Sequence, residues 1–173
     1  DGTSAGTSEV SSTGSYNGNC MYSHRNCLVE AGSKLFILAS FEMYAYDGSS
    51  ETQLTSNIGT VNFDRGIISL GDYVYFSADS PDLYRSDGST TESITSNFQG
   101  IEHIATDGQK VYFSGRESGG DGNDLWVFDP SDSSVTQLTT HGSTSGSDFL
   151  VSDSCTANHC DIIDFVGTYV IFN

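Results

Sequence analysis

Basic residues and proline are scarce in this sequence of 173 residues. Lys+Arg number 6 and Asp+Glu number 23, which gives a net charge of -17, and there are 2 prolines. Binding to nucleic acid or to an anionic membrane requires a basic surface, so the composition argues against both partners. Apolar runs of about 18 residues, the length of a membrane-spanning helix, are also missing, which argues against membrane insertion. The acidic balance favours cations instead, Ca²⁺ above all.

Long stretches rich in Ala, Glu, Lys and Leu are absent as well, and this argues against a helical bundle. The chain contains short segments of aromatic and β-branched residues instead. Aromatic residues make up 12% of the chain, and their periodic recurrence argues against full disorder. The length fits one compact domain. We therefore expect a single all-β domain over residues 1–173.

An internal repeat organises this domain. A pattern of glycine, two variable residues, an aliphatic residue and two hydrophobic residues begins at Gly32, Gly71, Gly108 and Gly167. A short apolar segment precedes each glycine, and three copies are followed by MYAYDGSS, LYRSDGST or LWVFDPSD and then by a Thr-rich segment. Each unit therefore predicts four short β-strands joined by turns. We expect Asp47, Asp87 and Asp129 to form turns in which their side chains accept hydrogen bonds from nearby backbone N–H groups.

A four-stranded sheet that recurs about every 40 residues is typical of a propeller blade. We predict a β-propeller-like array of about four blades, because blades bury both faces and their strands need no polar alternation. The predicted blade units are 28–60, 67–100, 101–141, and a split unit made of 1–27 with 161–173; 142–160 is an insert loop.

The segments LYRSDGST and LWVFDPSD, together with the opening DGTSAGT, resemble the ELWxxDGT repeat family. The leading Glu of the family motif is replaced by Glu42, one residue early, by Asp82 and by Asp124. The resemblance implies a propeller-like β architecture in secreted or surface proteins. It supplies no catalytic residues that could be carried over.

The split unit is expected to lack its third strand, because the sequence opens on DGTSAGT and closes on TYVIFN. The N-terminal strand could complete the last blade and close a ring within one chain. Alternatively, the gap accepts a strand from another copy by β-augmentation, in which backbone hydrogen bonds supply affinity. A third alternative is that the chain is a window of a longer tandem array. A closed ring and an open repeating unit both fit these observations.

Four cysteines lie in two close pairs. An even number in an acidic chain rich in Ser, Thr and Gly suggests disulfides and an oxidising compartment, extracellular or at the cell surface. Local pairing is favoured, and pairing between the two loops is its main alternative; a zinc site that uses His24 or His159 is a weaker alternative. The cysteines are Cys20, Cys27, Cys155 and Cys160.

The loop GGDGND, residues 119–124, matches the first six positions of a calcium-binding repeat. Asp121, Asn123 and Asp124 would be the ligands, since Ca²⁺ prefers carboxylate and amide oxygens. The alternative is an ordinary long loop between two strands. Asp79 and Asp82 lie at the equivalent place in the preceding unit and could bind a second cation or form a solvated acidic turn.

Catalytic patterns are missing from the sequence: no GxSxG nucleophile elbow occurs, and no carboxylate pair can be singled out. We expect a protein that is not an enzyme and requires no cofactor, with Ca²⁺ as a possible ligand. The predicted function is an extracellular structural or adhesive repeat protein that self-associates into a fibre or surface coat by strand complementation at the split blade. The alternative is a lectin-like β-propeller that binds glycans on Trp126 and exposed tyrosines.

Overall fold

The computed structural model describes residues 27–39, 41–61, 67–78, 82–120 and 122–140, and the backbone of 163–166 and 169–172. Residues 1–26 and 141–162 lie outside the described residues, and with them most of the N-terminal part of the predicted split unit and the predicted insert loop. Within the described ranges the regular structure consists of strands, and no helix long and apolar enough to cross a membrane is found there.

Fourteen strands are found in the described ranges, and the predicted all-β class is confirmed. They are β1 (Leu28–Ala31), β2 (Lys34–Ala39), β3 (Glu42–Tyr46), β4 (Glu51–Gln53), β5 (Ile68–Leu70), β6 (Tyr73–Ser77), β7 (Leu83–Ser86), β8 (Thr91–Ser93), β9 (Phe98–Thr106), β10 (Val111–Glu117), β11 (Asp124–Asp129), β12 (Ser134–Gln137), β13 (Ile163–Val166) and β14 (Tyr169–Phe172).

The strands form antiparallel sheets in which each strand pairs with its neighbour in the chain. Sheet 1 contains β1–β4, sheet 2 contains β5–β8, and sheet 3 contains β9–β12, each in sequential order. Sheet 4 contains β13 and β14. An isolated bridge between Val61 and Ala78 extends sheet 2 beyond its named strands. Short turns suffice for these connections because antiparallel neighbours meet at the same end of a sheet.

Both faces of β6, the second strand of sheet 2, are buried, and this explains why its residues are apolar without polar alternation. Val74 and Phe76 point toward sheet 1 and are fully buried there, whereas Tyr75 points toward sheet 3 and is also buried. Sheet 2 therefore lies between the other two, and each face of its second strand needs apolar side chains. Full burial of one such side chain stabilises the fold by about 1.5–3 kcal/mol.

Two apolar cores join the three sheets face to face. The first contains Ala31, Phe36, Leu38, Met43, Ala45 and Leu54 from sheet 1, and Val61, Val74, Phe76, Ala78 and Tyr84 from sheet 2. The second contains Tyr75 and Leu83 from sheet 2, and Phe98, Ile101, Ile104, Val111, Phe113, Trp126 and Phe128 from sheet 3. In the second core the rings of Phe98 and Trp126 meet edge to face, with their centroids 5.1 Å apart.

The positively charged side chain of Arg85 contacts aromatic rings of both sheet 2 and sheet 3. Its guanidinium group lies over the ring of Tyr73, 4.8 Å from the centroid, and over that of Phe128 at 5.7 Å. Its Nε also donates to Glu92 at 2.7 Å. One of the six basic residues of the chain therefore contributes to packing between sheets rather than to a binding surface.

Sheet 3 contains a longer and less regular first strand than the other sheets. β9 has nine residues, and its pairing with β10 shifts register between Ser114 and Gly115 and again between Arg116 and Glu117. A Cβ at Gly115 would lie 2.9 Å from the ring of Phe98. The position needs glycine because the bulge brings the backbone against the aromatic core.

The first strands of successive sheets lie side by side. β1 contacts β5, β5 contacts β9, and β9 contacts β13. The sheets thus follow one another in chain order, with their first strands forming a row and their short fourth strands at the far edges.

Candidate functional site

A hydrogen-bonded acid and threonine recur in each of the three four-stranded sheets. We call these the acid–threonine pairs: Glu42–Thr55, Asp82–Thr95 and Asp124–Thr139. In each, the threonine hydroxyl donates to the carboxylate and accepts from the backbone N–H of the residue after the acid. The amide-to-hydroxyl distances are 3.0 Å for Met43, 2.9 Å for Leu83 and 2.9 Å for Leu125.

The acid–threonine pairs connect the start of each third strand to the segment that directly follows the fourth strand. The residue before the threonine donates its backbone N–H to the carbonyl of the residue after the acid, as from Ile94 to Leu83 at 2.7 Å. Thr55 and Thr95 are buried, and a buried backbone N–H without a partner would be costly. The acid of the repeat motif therefore has a structural task, namely to orient a threonine that satisfies this amide.

These threonines were missed by the sequence analysis, which considered the acids alone. Their signal was nevertheless present, because the threonine follows the acid by 13 residues in the first two pairs and by 15 in the third. The turn between the third and fourth strands has the same length in all three sheets, and the third spacing differs because sheet 3 has one more residue on each side of this turn.

The predicted cation ligands are only partly placed by the structure. Asp124 accepts hydrogen bonds on both oxygens, from Thr139 at 3.1 Å and from Gln137 Nε2 at 2.8 Å. Asn123 directly precedes β11, while Asp121 and Asp79 lie outside the described residues. Asp82 accepts from Thr95 at 3.2 Å. The cation sites stay predictions. In the structure, the carboxylates of Asp82 and Asp124 accept hydrogen bonds from side chains of their own sheet units.

In the described part of the chain, no three His, Cys, Asp or Glu side chains come together in a group able to hold a metal ion. Among the histidines, His103 lies on β9, whereas His24, His141 and His159 fall outside the described ranges.

Aspartate turns occupy the opposite end of the same sheets. Asp47 Oδ1 accepts from the amides of Ser49 and Ser50, both at 2.8 Å. Asp87 Oδ1 accepts from the amides of Ser89 and Thr90, again at 2.8 Å. The predicted turn role of these aspartates is confirmed, and the following glycines adopt the left-handed conformation that such turns use.

Sheet 3 carries two further aspartate turns. Asp129 Oδ1 accepts from the amide and hydroxyl of Ser131, and its Oδ2 lies 2.8 Å from Lys110 Nζ. Asp107 accepts from the amides of Gln109 and Lys110 at 2.8 and 2.7 Å. The turn at Asp129 is the one expected from the sequence; the turn at Asp107 was not expected, although the Asp-Gly dipeptide at 107–108 is a turn signal.

The turn hydrogen bonds lower the pKa values of the aspartates that accept them. The amides of Ser50 and Ser49 hold the pKa of Asp47 well below its ordinary value. The amides of Thr90 and Ser89 lower the pKa of Asp87 to about 2. The Lys110 ammonium group and then Ser131 lower the pKa of Asp129 to about 2. These carboxylates are charged at neutral pH and already accept several hydrogen bonds each.

Trp126, the candidate sugar-binding platform, lies in the second core. The side chain is buried, and its indole Nε1 donates to the carbonyl of Gly115 at 3.0 Å. The ring of Phe113 stacks on it at a centroid distance of 6.5 Å. Such a ring has no free face for a sugar, so the structure gives Trp126 a packing role.

Cys27 is disulfide-bonded. It directly precedes β1, and its carbonyl accepts from the amide of Leu38 at 2.9 Å. Cys20, Cys155 and Cys160 lie outside the described residues. The pairing of the four cysteines therefore stays a prediction.

Comparison with known proteins identifies no family for this chain. No protein-family model matches it, and no curated protein matches it. Among solved structures, TolB from Acinetobacter baumannii is 22% identical with a TM-score of 0.44, over 66% of this chain and 32% of that chain. The tricorn protease is 15% identical with a TM-score of 0.47, over 69% of this chain and 13% of that chain.

The chain therefore spans about a third of TolB and about an eighth of the tricorn protease. Similarities at this level establish no activity, substrate or partner for it. The described residues themselves define an all-β protein of repeated four-stranded antiparallel sheets, each with an acid–threonine pair at one end and aspartate turns at the other.

Proposed function

We propose that this chain is a non-enzymatic, extracellular structural or adhesive repeat protein with a β-propeller-like arrangement, which assembles with its own copies into a fibre or coat. The observation that carries the proposal is the stacking of sheets 1, 2 and 3 through two apolar cores, in chain order and with one shared topology. Modules that contact only their neighbours can be continued by further copies of the same module.

The propeller-like arrangement is supported by the row of first strands. β1, β5, β9 and β13 contact one another in turn, which is the relation of innermost strands in blades arranged around an axis. The number of blades and closure of the ring belong to the proposal. Sheets that bury both faces, as sheet 2 does, support it further.

Strand complementation at sheet 4 is supported by the strand count of the described residues. β14 is the second strand of sheet 4, as β2, β6 and β10 are in the other sheets. Each of those three strands pairs with a neighbouring strand on both sides. In the described part of the chain, sheet 4 holds β13 and β14. A strand from another copy would complete the second side of β14 through backbone hydrogen bonds.

The outer edges of the other sheets are poor acceptors for an added strand. β4, β8 and β12 have three, three and four residues and are largely polar. Short polar edge strands are a common means of preventing edge-to-edge association. Assembly through sheet 4 would therefore be specific, because the far edges of sheets 1, 2 and 3 do not compete for the same strand.

An oxidising compartment is supported by the disulfide bond of Cys27. Assembly of a chain with net charge -17 must also overcome repulsion between copies. We therefore expect assembly to strengthen as ionic strength rises. Glycan binding is the alternative function, and the burial of Trp126 removes its main candidate residue.

Sedimentation velocity and electron microscopy of the purified chain test the proposal, at increasing protein concentration in low and high salt. We expect concentration-dependent oligomers that become filaments or sheets. A synthetic peptide with the sequence of residues 82–93, which spans the β7–β8 hairpin, should inhibit assembly by pairing with the side of β14 opposite β13. A scrambled peptide of the same composition is the control. A chain that stays monomeric under every condition, or one that binds an arrayed glycan as a monomer, would contradict it.

A further inference from the structure

In the described part of the chain, three aspartate turns contain an Asp-Gly dipeptide, at 47–48, 87–88 and 107–108. Each aspartate accepts on Oδ1 from the backbone amides two and three positions further on. An Asp-Gly bond can rearrange chemically, because glycine has no side chain to shield its nitrogen from the aspartate carboxyl group. The three turns share this sequence feature, so their surroundings decide which of them reacts.

In two of these turns a hydroxyl from the residue before the aspartate holds the glycine amide. Gly88 N–H donates to Ser86 Oγ at 3.1 Å, and Gly108 N–H donates to Thr106 Oγ1 at 3.0 Å. Each hydroxyl donates in turn to a backbone carbonyl four residues further on. The glycine nitrogen is thus held in a small hydrogen-bonded network, which must break before its proton can leave.

The turn at Asp47 lacks this hydroxyl. The residue before the aspartate is Tyr46, which carries no hydroxyl on its β-carbon. Gly48 is exposed, and no group in the described ranges accepts a hydrogen bond from its amide. A Cβ at this position would meet nothing within 4 Å. The Gly48 nitrogen is therefore open to solvent and to loss of its proton.

The turn at Asp87 is the most protected of the three. Gly88 is buried, and Lys34 of sheet 1 donates to the carbonyl of Asp87, so the turn is also held from outside its own sheet. The turn at Asp107 is intermediate, because the amide of Gly108 is held by a hydroxyl although the residue is exposed.

We propose that, among these turns, the Asp-Gly bond at 47–48 is the preferred site of spontaneous isoaspartate formation. The Gly48 nitrogen attacks Cγ of Asp47 and forms a C–N bond, while the amide proton and the carboxyl hydroxyl leave as water. The product is a five-membered succinimide. Water then opens the ring at the main-chain carbonyl to give isoaspartate, or at Cγ to restore aspartate. One water is released and one is consumed, so no oxidant or cofactor takes part.

Opening of the turn precedes this reaction at each of the three bonds. The amides that bond Oδ1 keep the carboxyl group charged and in place, and the group becomes reactive once they separate from it. The free energy of opening therefore decides the ranking. At Asp47 the opening breaks exposed bonds within one turn, whereas at Asp87 the bonds to Ser86 and Lys34 must break as well.

Isoaspartate at this position would disturb the edge of sheet 1. Rearrangement adds one methylene to the main chain and moves the free carboxylate to Cα, so the bonds from the amides of Ser49 and Ser50 to Oδ1 are lost. The turn joins β3 to β4, whose pairing begins at Tyr46 and Glu51. Isomerisation at Asp47 should therefore loosen β4 and leave sheets 2 and 3 intact.

Peptide mapping of the aged, folded chain tests the proposal. The chain is incubated at neutral pH below its unfolding temperature, and electron-transfer fragmentation then distinguishes isoaspartate from aspartate at each turn. We expect isoaspartate to accumulate about tenfold faster at Asp47 than at Asp87, with Asp107 between them, because a hydrogen bond that must first break contributes roughly that factor. In denaturant the three rates should converge. Equal rates in the folded chain, or the same ranking in denaturant, would overturn the proposal.

Two variants exchange the hydroxyl between turns. Tyr46→Ser supplies a hydroxyl before the aspartate and should slow the reaction at Asp47 several-fold, whereas Ser86→Ala frees a glycine amide and should accelerate the reaction at Asp87. Asp107 is untouched in both variants and provides the internal reference rate, and tryptophan fluorescence verifies folding. A Y46S chain that isomerises at Asp47 as fast as the wild type would show that the open amide does not select this bond.

Discussion

Lys34 on β2 donates from its Nζ to the carbonyl oxygen of Asp87 at a distance of 2.8 Å, and so ties sheet 1 to a turn of sheet 2. The same ammonium group lies 3.3 Å from the hydroxyl of Ser89. This contact joins residues 53 positions apart in the chain. It brings the turn after β7 against the side of sheet 1 and makes that turn part of an interface between sheets.

The interface predicts different costs for the same substitution in two equivalent turns. Gly48 and Gly88 both have positive φ, 96° and 80°. A Cβ at Gly48 meets nothing within 4 Å, whereas one at Gly88 would lie 2.6 Å from Lys34 Cδ and 3.0 Å from Ala45 Cβ. Gly48→Ala should cost about 1–2 kcal/mol for the backbone conformation, and Gly88→Ala about 1–3 kcal/mol more because of overpacking.

Chemical denaturation followed by Trp126 fluorescence measures both variants against the wild type. Trp126 is the one tryptophan of the chain and is buried in the second core, so its emission reports unfolding. Equal losses of stability in the two glycine variants would show that the turn after β7 does not pack on sheet 1.

The acid–threonine pairs predict a large effect for a substitution that keeps side-chain shape. Thr95→Val removes the hydroxyl that accepts from Leu83 N–H and donates to Asp82. We expect a loss of about 1–3 kcal/mol in unfolding free energy, because a buried amide loses its partner. Thr136→Val on the exposed side of β12 should change stability by less than about 0.5 kcal/mol. A T95V protein as stable as T136V would mean that the pairs contribute nothing.

The aspartate turns predict a loss of stability in acid. Folding lowers the pKa of Asp47, Asp87 and Asp129 below the ordinary value of 3.8. Their contribution is therefore present above about pH 4 and is lost as the pH falls through the lowered folded pKa values, which are about 2 for Asp87 and Asp129. Thermal unfolding at several pH values from 7 to 2 should show a plateau near neutrality and a decline below about pH 4.

Asp87→Asn isolates one of these carboxylates. The amide oxygen of asparagine can still accept from Ser89 and Thr90, so the turn is kept while the titrating group is removed. The variant should lose less stability than the wild type between about pH 4 and pH 2. Identical pH profiles for the two proteins would rule out a linked proton at Asp87.

The ion pair between Lys110 and Asp129 predicts that removal of the Lys110 charge changes the pKa of Asp129. The ammonium group is the largest cause of the lowered Asp129 pKa. In a Lys110→Met variant the Asp129 pKa should rise from about 2 toward 3.8, and that of Asp87 should stay near 2. Carboxyl-detected NMR titration gives both values in one sample. An unchanged Asp129 pKa would show that the 2.8 Å ion pair does not persist in solution.

Much of the fold follows from local pattern. Short apolar segments separated by turn residues were enough to predict the all-β class and the four-strand repeat, because strand length and turn type depend on residues that are close in sequence. The start of the third sheet was less predictable. β9 begins at Phe98, inside the segment 67–100 assigned to the second unit, because its bulged pairing with β10 extends it toward the N-terminus.

The candidate site was predictable only in part. The aspartate turns followed from sequence because Asx turns form between residues two or three apart. The threonine partners of Glu42, Asp82 and Asp124 required the spacing of two strands to be considered together. The role of Trp126 depended on the aromatic rings around it, which come from β9 and β10.

Composition and repeat pattern thus establish a chain of short antiparallel strands with ordered aspartate turns, since those features arise from contacts close in sequence. Stacking of the sheets settles which apolar side chains form the two cores between them. It also places Gly88 against Lys34 and Ala45. These outcomes depend on the distance between sheets, which is set by side-chain packing between residues that are far apart in the chain.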